Sequence, residues 1–130
     1  MNRTLVLLSI VMLVVACGKK NNFTIQGKIE GGAGKTIYLN YLMNNSQSFA
    51  DSAKMGKDGS FKLSGKVSSP TFFLLKLSGT NFVTLLPDSA ENISITGSYN
   101  NFSRDYEVKG SDNSSKVRDL TIRFAEVKPR

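Results

Sequence analysis

Phe23-Thr24-Ile25-Gln26-Gly27-Lys28-Ile29-Glu30 decides the fold of this chain. Positions 23, 25, 27 and 29 are apolar or small, and positions 24, 26, 28 and 30 are polar or charged. A period of two puts one set on a buried face and the other in water, which is a half-buried strand. Working outward, Gly31-Gly32-Ala33-Gly34 supplies a turn, and Ile37, Leu39, Tyr41 and Met43 form the inward face of a returning strand. Asn44 to Gln47 reads as a polar loop. Phe49, Asp51 and Ala53 open a weaker strand that runs to Met55. Lys57-Asp58-Gly59 then predicts a hairpin into the alternating Phe61, Leu63, Gly65 and Val67, because Asp-Gly accepts the backbone angles such turns need.

Pro70 breaks the chain before Thr71 to Leu77, which is apolar on both faces and reads as a central strand covered on both sides. Ser78 to Asn81 turns it back into Phe82 to Leu86. After Pro87-Asp88-Ser89-Ala90, short strands are expected at Ile93 to Gly97 and at Tyr106 to Val108. Phe23, Phe49, Phe61, Phe72 and Phe82 are expected in the core. The period then changes. Ser111 and Asp112 are good capping residues, and Val117, Leu120, Phe124 and Val127 fall on one stripe of a helix. The expected fold is all-β: a small antiparallel sandwich or partly open barrel of seven or eight strands, residues 23–110. A helix and tail, residues 111–130, end it.

Composition narrows the chemistry. The chain has 130 residues, one cysteine and no histidine. Beyond Cys17 no thiol remains, so disulfides, thiolate metal sites and cysteine catalysis are excluded from the body. Lack of histidine removes the commonest general base and metal ligand, and no cofactor is expected. The formal charge is +7, but Lys28, Lys35, Lys54, Lys57, Lys62, Lys66 and Lys76 are dispersed. Nucleic-acid binding would concentrate them on one face, so no nucleic-acid partner is expected. Scattered lysines on strands protect exposed edges from pairing with other chains.

The amino terminus addresses the chain to a membrane. Arg3 precedes an apolar run, Leu5 to Val15, that is too short to span a bilayer and suits a signal-peptide core. Leu13-Val14-Val15-Ala16-Cys17 resembles the lipobox of bacterial lipoproteins. That resemblance implies a diacylglycerol on the Cys17 thiol, cleavage before Cys17 and acylation of the new amino terminus. Residues 1–16 are then the signal peptide and 17–22 the lipidated tether, where Lys19-Lys20 meets anionic head groups or solvent. Gly18, in place of an aspartate, resembles the sorting signal for the outer membrane with the domain facing the periplasm.

Other motifs are weaker. Gly34-Lys35-Thr36 lacks the glycine that a phosphate loop needs five residues before Gly34, where Ile29 stands, and it enters a strand rather than a helix. Paired carboxylates run hydrolytic chemistry without histidine, but Asp105 with Glu107 and Asp88 with Glu91 read as ordinary surface. Asp51-Ser52-Ala53 and Asp88-Ser89-Ala90 repeat a tripeptide that resembles an acceptor for O-glycosylation in some Gram-negative envelopes, with Ser52 and Ser89 as acceptors. Tyr99 and Phe102, in the Gly97 to Arg104 loop, are the aromatic pair expected to contact a ligand.

From about Phe23 to Phe124 the chain resembles an uncharacterised amino-terminal domain of Gram-negative envelope lipoproteins. The likeness is carried by Phe23 to Ile29, Ile37-Tyr38-Leu39, Asp51-Ser52-Ala53, Asp58-Gly59-Ser60-Phe61 and Val108-Lys109-Gly110-Ser111. In that family the domain precedes a thioredoxin-like thiol–disulfide oxidoreductase domain. This sequence has no Cys-x-x-Cys, so that redox activity is not expected of it. It reads as a truncated relative or a stand-alone module. The expected function is a lipid-anchored, non-catalytic spacer or docking module, its partner a thioredoxin-like envelope protein. The alternative is a glycan-binding module.

Overall fold

A computed structural model describes residues 21–127 of the chain. The expected signal peptide, Cys17 and Lys19-Lys20 lie outside the described residues, as does Pro129. Eight strands form two four-stranded sheets packed face to face. The strands are β1 (Asn22–Glu30), β2 (Thr36–Met43), β3 (Ser46–Lys54), β4 (Ser60–Lys66), β5 (Phe73–Lys76), β6 (Phe82–Leu85), β7 (Asn92–Ser98) and β8 (Tyr106–Lys109). A single 3-10 turn, Tyr99–Asn101, joins β7 to β8, and α1 (Asp112–Val127) ends the fold. One sheet has the order β4-β1-β7-β8 and the other β3-β2-β5-β6. The fold is a sandwich, not a closed barrel.

Alternation places the core as expected. Phe23, Ile25 and Ile29 of β1 meet Ile37 and Leu39 of β2, and Phe73 and Leu75 of β5, all essentially without exposure. Phe23 and Phe73 join the two sheets edge to face, ring centroids 4.9 Å apart. Such a pair adds roughly 0.5–1.5 kcal/mol beyond its area burial.

Four expectations are corrected. First, the Asp58-Gly59 turn is not a hairpin, because β3 and β4 belong to different sheets. Gly59 has the left-handed φ of +81°, and its carbonyl accepts the Ile29 N–H at 2.9 Å. The turn chemistry was right, but it makes a corner between layers. The true hairpin turn is Asn44-Asn45, with φ of 53° and 64°, so β3 begins at Ser46 inside the expected loop. Second, β1 and β7 pair in parallel, Ile25 opposite Ile93, within an otherwise antiparallel fold. Alternation carries no information on strand direction.

Third, Phe49 is 65% exposed, and Phe72 is exposed as well. A β-bulge explains Phe49: Leu39 pairs with Asp51 but Asn40 pairs with Phe49, leaving Ala50 as the extra residue. One inserted residue flips the parity of everything beyond it. Phe72 lies just before β5, on a face that no second layer covers, although Leu74 at its centre is only 6% exposed. Of the other expected core aromatics Phe61 is buried and Phe82 half-buried.

Fourth, Leu120 and Phe124 of the expected apolar stripe of α1 face out, while Val117 is half-buried. Leu120 is 55% and Phe124 71% exposed. The docked face carries Ser111, Ser114, Ser115 and Arg118 instead. The Ser114 hydroxyl accepts the Leu86 N–H at 3.0 Å, while Ser115 Oγ and Arg118 Nε donate to the carbonyls of Val108 and Tyr106. The helix therefore caps the unpaired backbone of two edge strands, work that needs hydrogen-bonding side chains. Its sixteen residues span about 24 Å.

Candidate functional site

The outer faces of the two sheets differ in kind. On the β4-β1-β7-β8 sheet the outward positions are Gln26, Lys28, Lys62, Ser64, Thr96 and Glu107, all polar and exposed. On the β3-β2-β5-β6 sheet the outward positions of β2 are Tyr38, Asn40 and Leu42. Neighbouring strands add Phe49, Phe72 and Leu74. Tyr38, Leu42, Phe49 and Phe72 are all exposed around the buried Leu74. The polar groups among them are held: Gln47 Oε1 accepts from Asn40 Nδ2 at 3.1 Å and from Lys76 Nζ at 3.0 Å. Between Tyr38, Phe49 and Lys76 lies a shallow depression of about 420 Å³. Contiguous exposed aromatics rimmed by ordered polar groups are the surface pattern of a binding face. One signal for it was present in the sequence: Tyr38 and Leu42 are apolar at β2 positions whose parity should be polar.

A second feature is a cleft of about 530 Å³ at the end of the sandwich where the described chain begins. Its lining combines apolar Tyr41, Met43, Val67 and Phe73 with polar Asn22, Lys66 and Ser68. Tyr41 is half-buried, its ring tilted 48° against Phe73 at 6.0 Å.

The expected site residues are not gathered in one place. Ser52 lies exposed on β3, opposite Tyr38, and Ser89 is exposed on the β6–β7 crossover. Their surroundings share one detail: Asp51 Oδ1 accepts the Ser52 N–H at 2.8 Å, and Asp88 Oδ1 accepts the Ser89 N–H at 2.8 Å. Asp51 Oδ2 also accepts the Ser64 N–H at 3.0 Å and so ties β3 to β4 across the two sheets. Tyr99 and Phe102 do not form a ligand platform, which corrects the expectation for that loop. Phe102 is fully buried against Tyr106, and half-buried Tyr99 carries Lys35 Nζ over its ring at 4.9 Å. A loop register of three residues cannot show which ring turns inward.

One carboxylate of each pair has a structural partner. Glu91 Oε1 accepts the Asp88 N–H at 2.8 Å, and Glu107 binds Arg118 at 3.1 Å. The Gly34 N–H donates to the Met55 carbonyl. That loop's backbone serves the corner between β1 and β2. Ser60, through its hydroxyl and N–H, holds the Asp58 carboxyl below its ordinary range, and Lys28 assists at 3.6 Å. Among the described residues no three His, Cys, Asp or Glu side chains come together as metal ligands. No described helix is long and apolar enough to cross a membrane.

Among the described residues Tyr106 is the most perturbed titrating group. Burial pushes its phenol up to about 12, against the opposing pull of nearby Arg118. Below pH 10 both folded and unfolded chains hold this proton, and its stabilising contribution is fully present. Between pH 10 and about 12 only the unfolded chain releases it, so stability falls as pH rises. Two units correspond to a loss of about 2.7 kcal/mol. Denaturant titrations at pH 9 and pH 11.5 are expected to show a decline that is reduced in Tyr106→Phe. An equal decline in that variant would assign the effect elsewhere.

A family model for a domain of unknown function (DUF4369) matches residues 23–117. The match takes in the sandwich from Phe23 and the first six residues of α1, Asp112 to Val117. No curated protein and no solved structure matches the chain.

Proposed function

We propose, from the premise that this chain belongs to the domain-of-unknown-function family DUF4369, that it is a lipid-anchored, non-catalytic envelope module that docks a protein partner. The single observation that carries the docking reading is the contrast between the sheets: one outer face entirely polar, the other bearing Tyr38, Leu42, Phe49 and Phe72. Leaving these rings in water costs solubility and contributes nothing to the packed core, whereas aromatic side chains are the residues that anchor protein interfaces. The sequence supports the other half of the reading: the apolar run ending in Leu13-Val14-Val15-Ala16-Cys17 resembles a lipoprotein signal, and only residues 18–21 separate Cys17 from β1.

The partner in this reading is a thioredoxin-like envelope protein, by resemblance to the lipoproteins in which such domains stand side by side. A body without cysteine lacks the thiols that thiol–disulfide exchange needs, so in this reading the redox chemistry belongs to the partner and the module positions it near the membrane. The test is cross-linking from residue 49, in the middle of the aromatic face, with residue 62 on the polar face as its counterpart.

A further inference from the structure

We propose that the cleft beside Asn22 is a carbohydrate site that takes one or two sugar rings. It is separate from the aromatic sheet face, since it opens at the end of the sandwich and reaches in to Phe73 on the inner side of β5. Its volume of about 530 Å³ falls within the range of small-ligand sites.

The chemistry of the lining selects the class. Part of the lining is apolar and aromatic: Tyr41, Met43, Val67 and Phe73. The rest includes residues whose side chains both donate and accept, Asn22, Ser68, Ser69 and Thr71. A pyranose ring has the same two kinds of surface. Its C–H bonds make an apolar face that packs on an aromatic ring, and the hydroxyls around its rim each donate and accept. A purely apolar ligand such as an acyl chain would desolvate the hydroxyls without replacing their hydrogen bonds, which is costly. Lys66 adds a positive charge at the rim, which favours a sugar bearing a carboxylate. Tyr41 supplies a rigid amphipathic surface with few rotatable bonds.

The test uses the full lipidated protein in detergent micelles with three probes: chitobiose, maltose and digalacturonic acid. Calorimetry and saturation-transfer NMR are expected to show at least one binding with Kd below about 1 mM. Tyr41→Ala is expected to weaken it at least tenfold. Because Tyr41 packs against the core, Ser68→Trp is the second variant: it fills the cleft from an exposed rim position and is expected to abolish binding with the melting curve unchanged. Lys66→Ala is expected to weaken digalacturonic acid more than the neutral sugars. Phe49→Ser, on the docking face, is expected to leave sugar binding intact, so failure of the docking reading does not affect this one. No binding of any probe to the wild type, or equal binding to Ser68→Trp, would overturn the proposal.

Discussion

Cys17→Ala is expected to abolish incorporation of labelled fatty acid and to leave residues 1–16 attached. The physical argument is that the thiol is the only group in the chain that can receive a diacylglycerol. Without that lipid, cleavage before residue 17 has no substrate. In the wild type each buried CH₂ contributes roughly 0.8 kcal/mol, and more than one chain makes attachment stable. In the variant the uncut run from Leu5 to Val15 still holds protein to the membrane, so fractionation alone is a poor readout. Intact mass together with the radiolabel separates the cases. The wild type should begin at Cys17 with added lipid mass, and the variant at Met1 without it. An unlabelled wild type, or label retained in Cys17→Ala, contradicts the anchor.

Gly27→Ala is expected to be the most damaging single substitution in the sandwich. Gly27 sits in the middle of β1, paired with Phe61 on one side and Ile95 on the other. A Cβ there would lie 1.7 Å from the Ile95 carbonyl oxygen. That neighbour is backbone in the central ladder and cannot rotate away, so β1 and β7 must separate and lose ladder hydrogen bonds. The expected cost is about 3–5 kcal/mol, at the top of the range for single substitutions and a large share of a small domain's stability. In a thermal melt this corresponds to a drop of roughly 15–25 °C. Gly79→Ala is the matched control: its added Cβ meets nothing within 4 Å, and a neutral or slightly stabilising effect is expected. Equal melting of Gly27→Ala and wild type would show that β1 and β7 do not approach as closely as described.

The residues that made the strands legible are the same ones that fill the core. Phe23, Ile25, Ile29, Ile37, Leu39 and Leu63 kept to one parity, and all are buried. Which strands share a sheet was not legible, because the Asp58-Gly59 turn has the same chemistry in a hairpin and in a corner between layers. Phe49 was misplaced by the bulge at Ala50, a one-residue insertion that alternation cannot register. The helix was misread for another reason. An apolar stripe is assumed to face the core, but here the edges of β6 and β8 needed hydrogen-bonding partners, and Ser114, Ser115 and Arg118 supply them. The exposed aromatic face is hidden by the same assumption, since alternation alone assigns Tyr38, Phe49 and Phe72 to strands and cannot say which face is left uncovered. The expectation at Cys17 rests on linear sequence alone, whereas the exposed aromatic face is assembled from three strands.

The most direct measurement is photo-cross-linking in intact cells from a photoreactive residue at position 49, compared with the same residue at position 62. The expected result is an adduct with a thioredoxin-like envelope protein from position 49 and none from position 62. It should be lost when Phe72 is also replaced by serine. No adduct from position 49, or the same adduct from both positions, would contradict docking through this face.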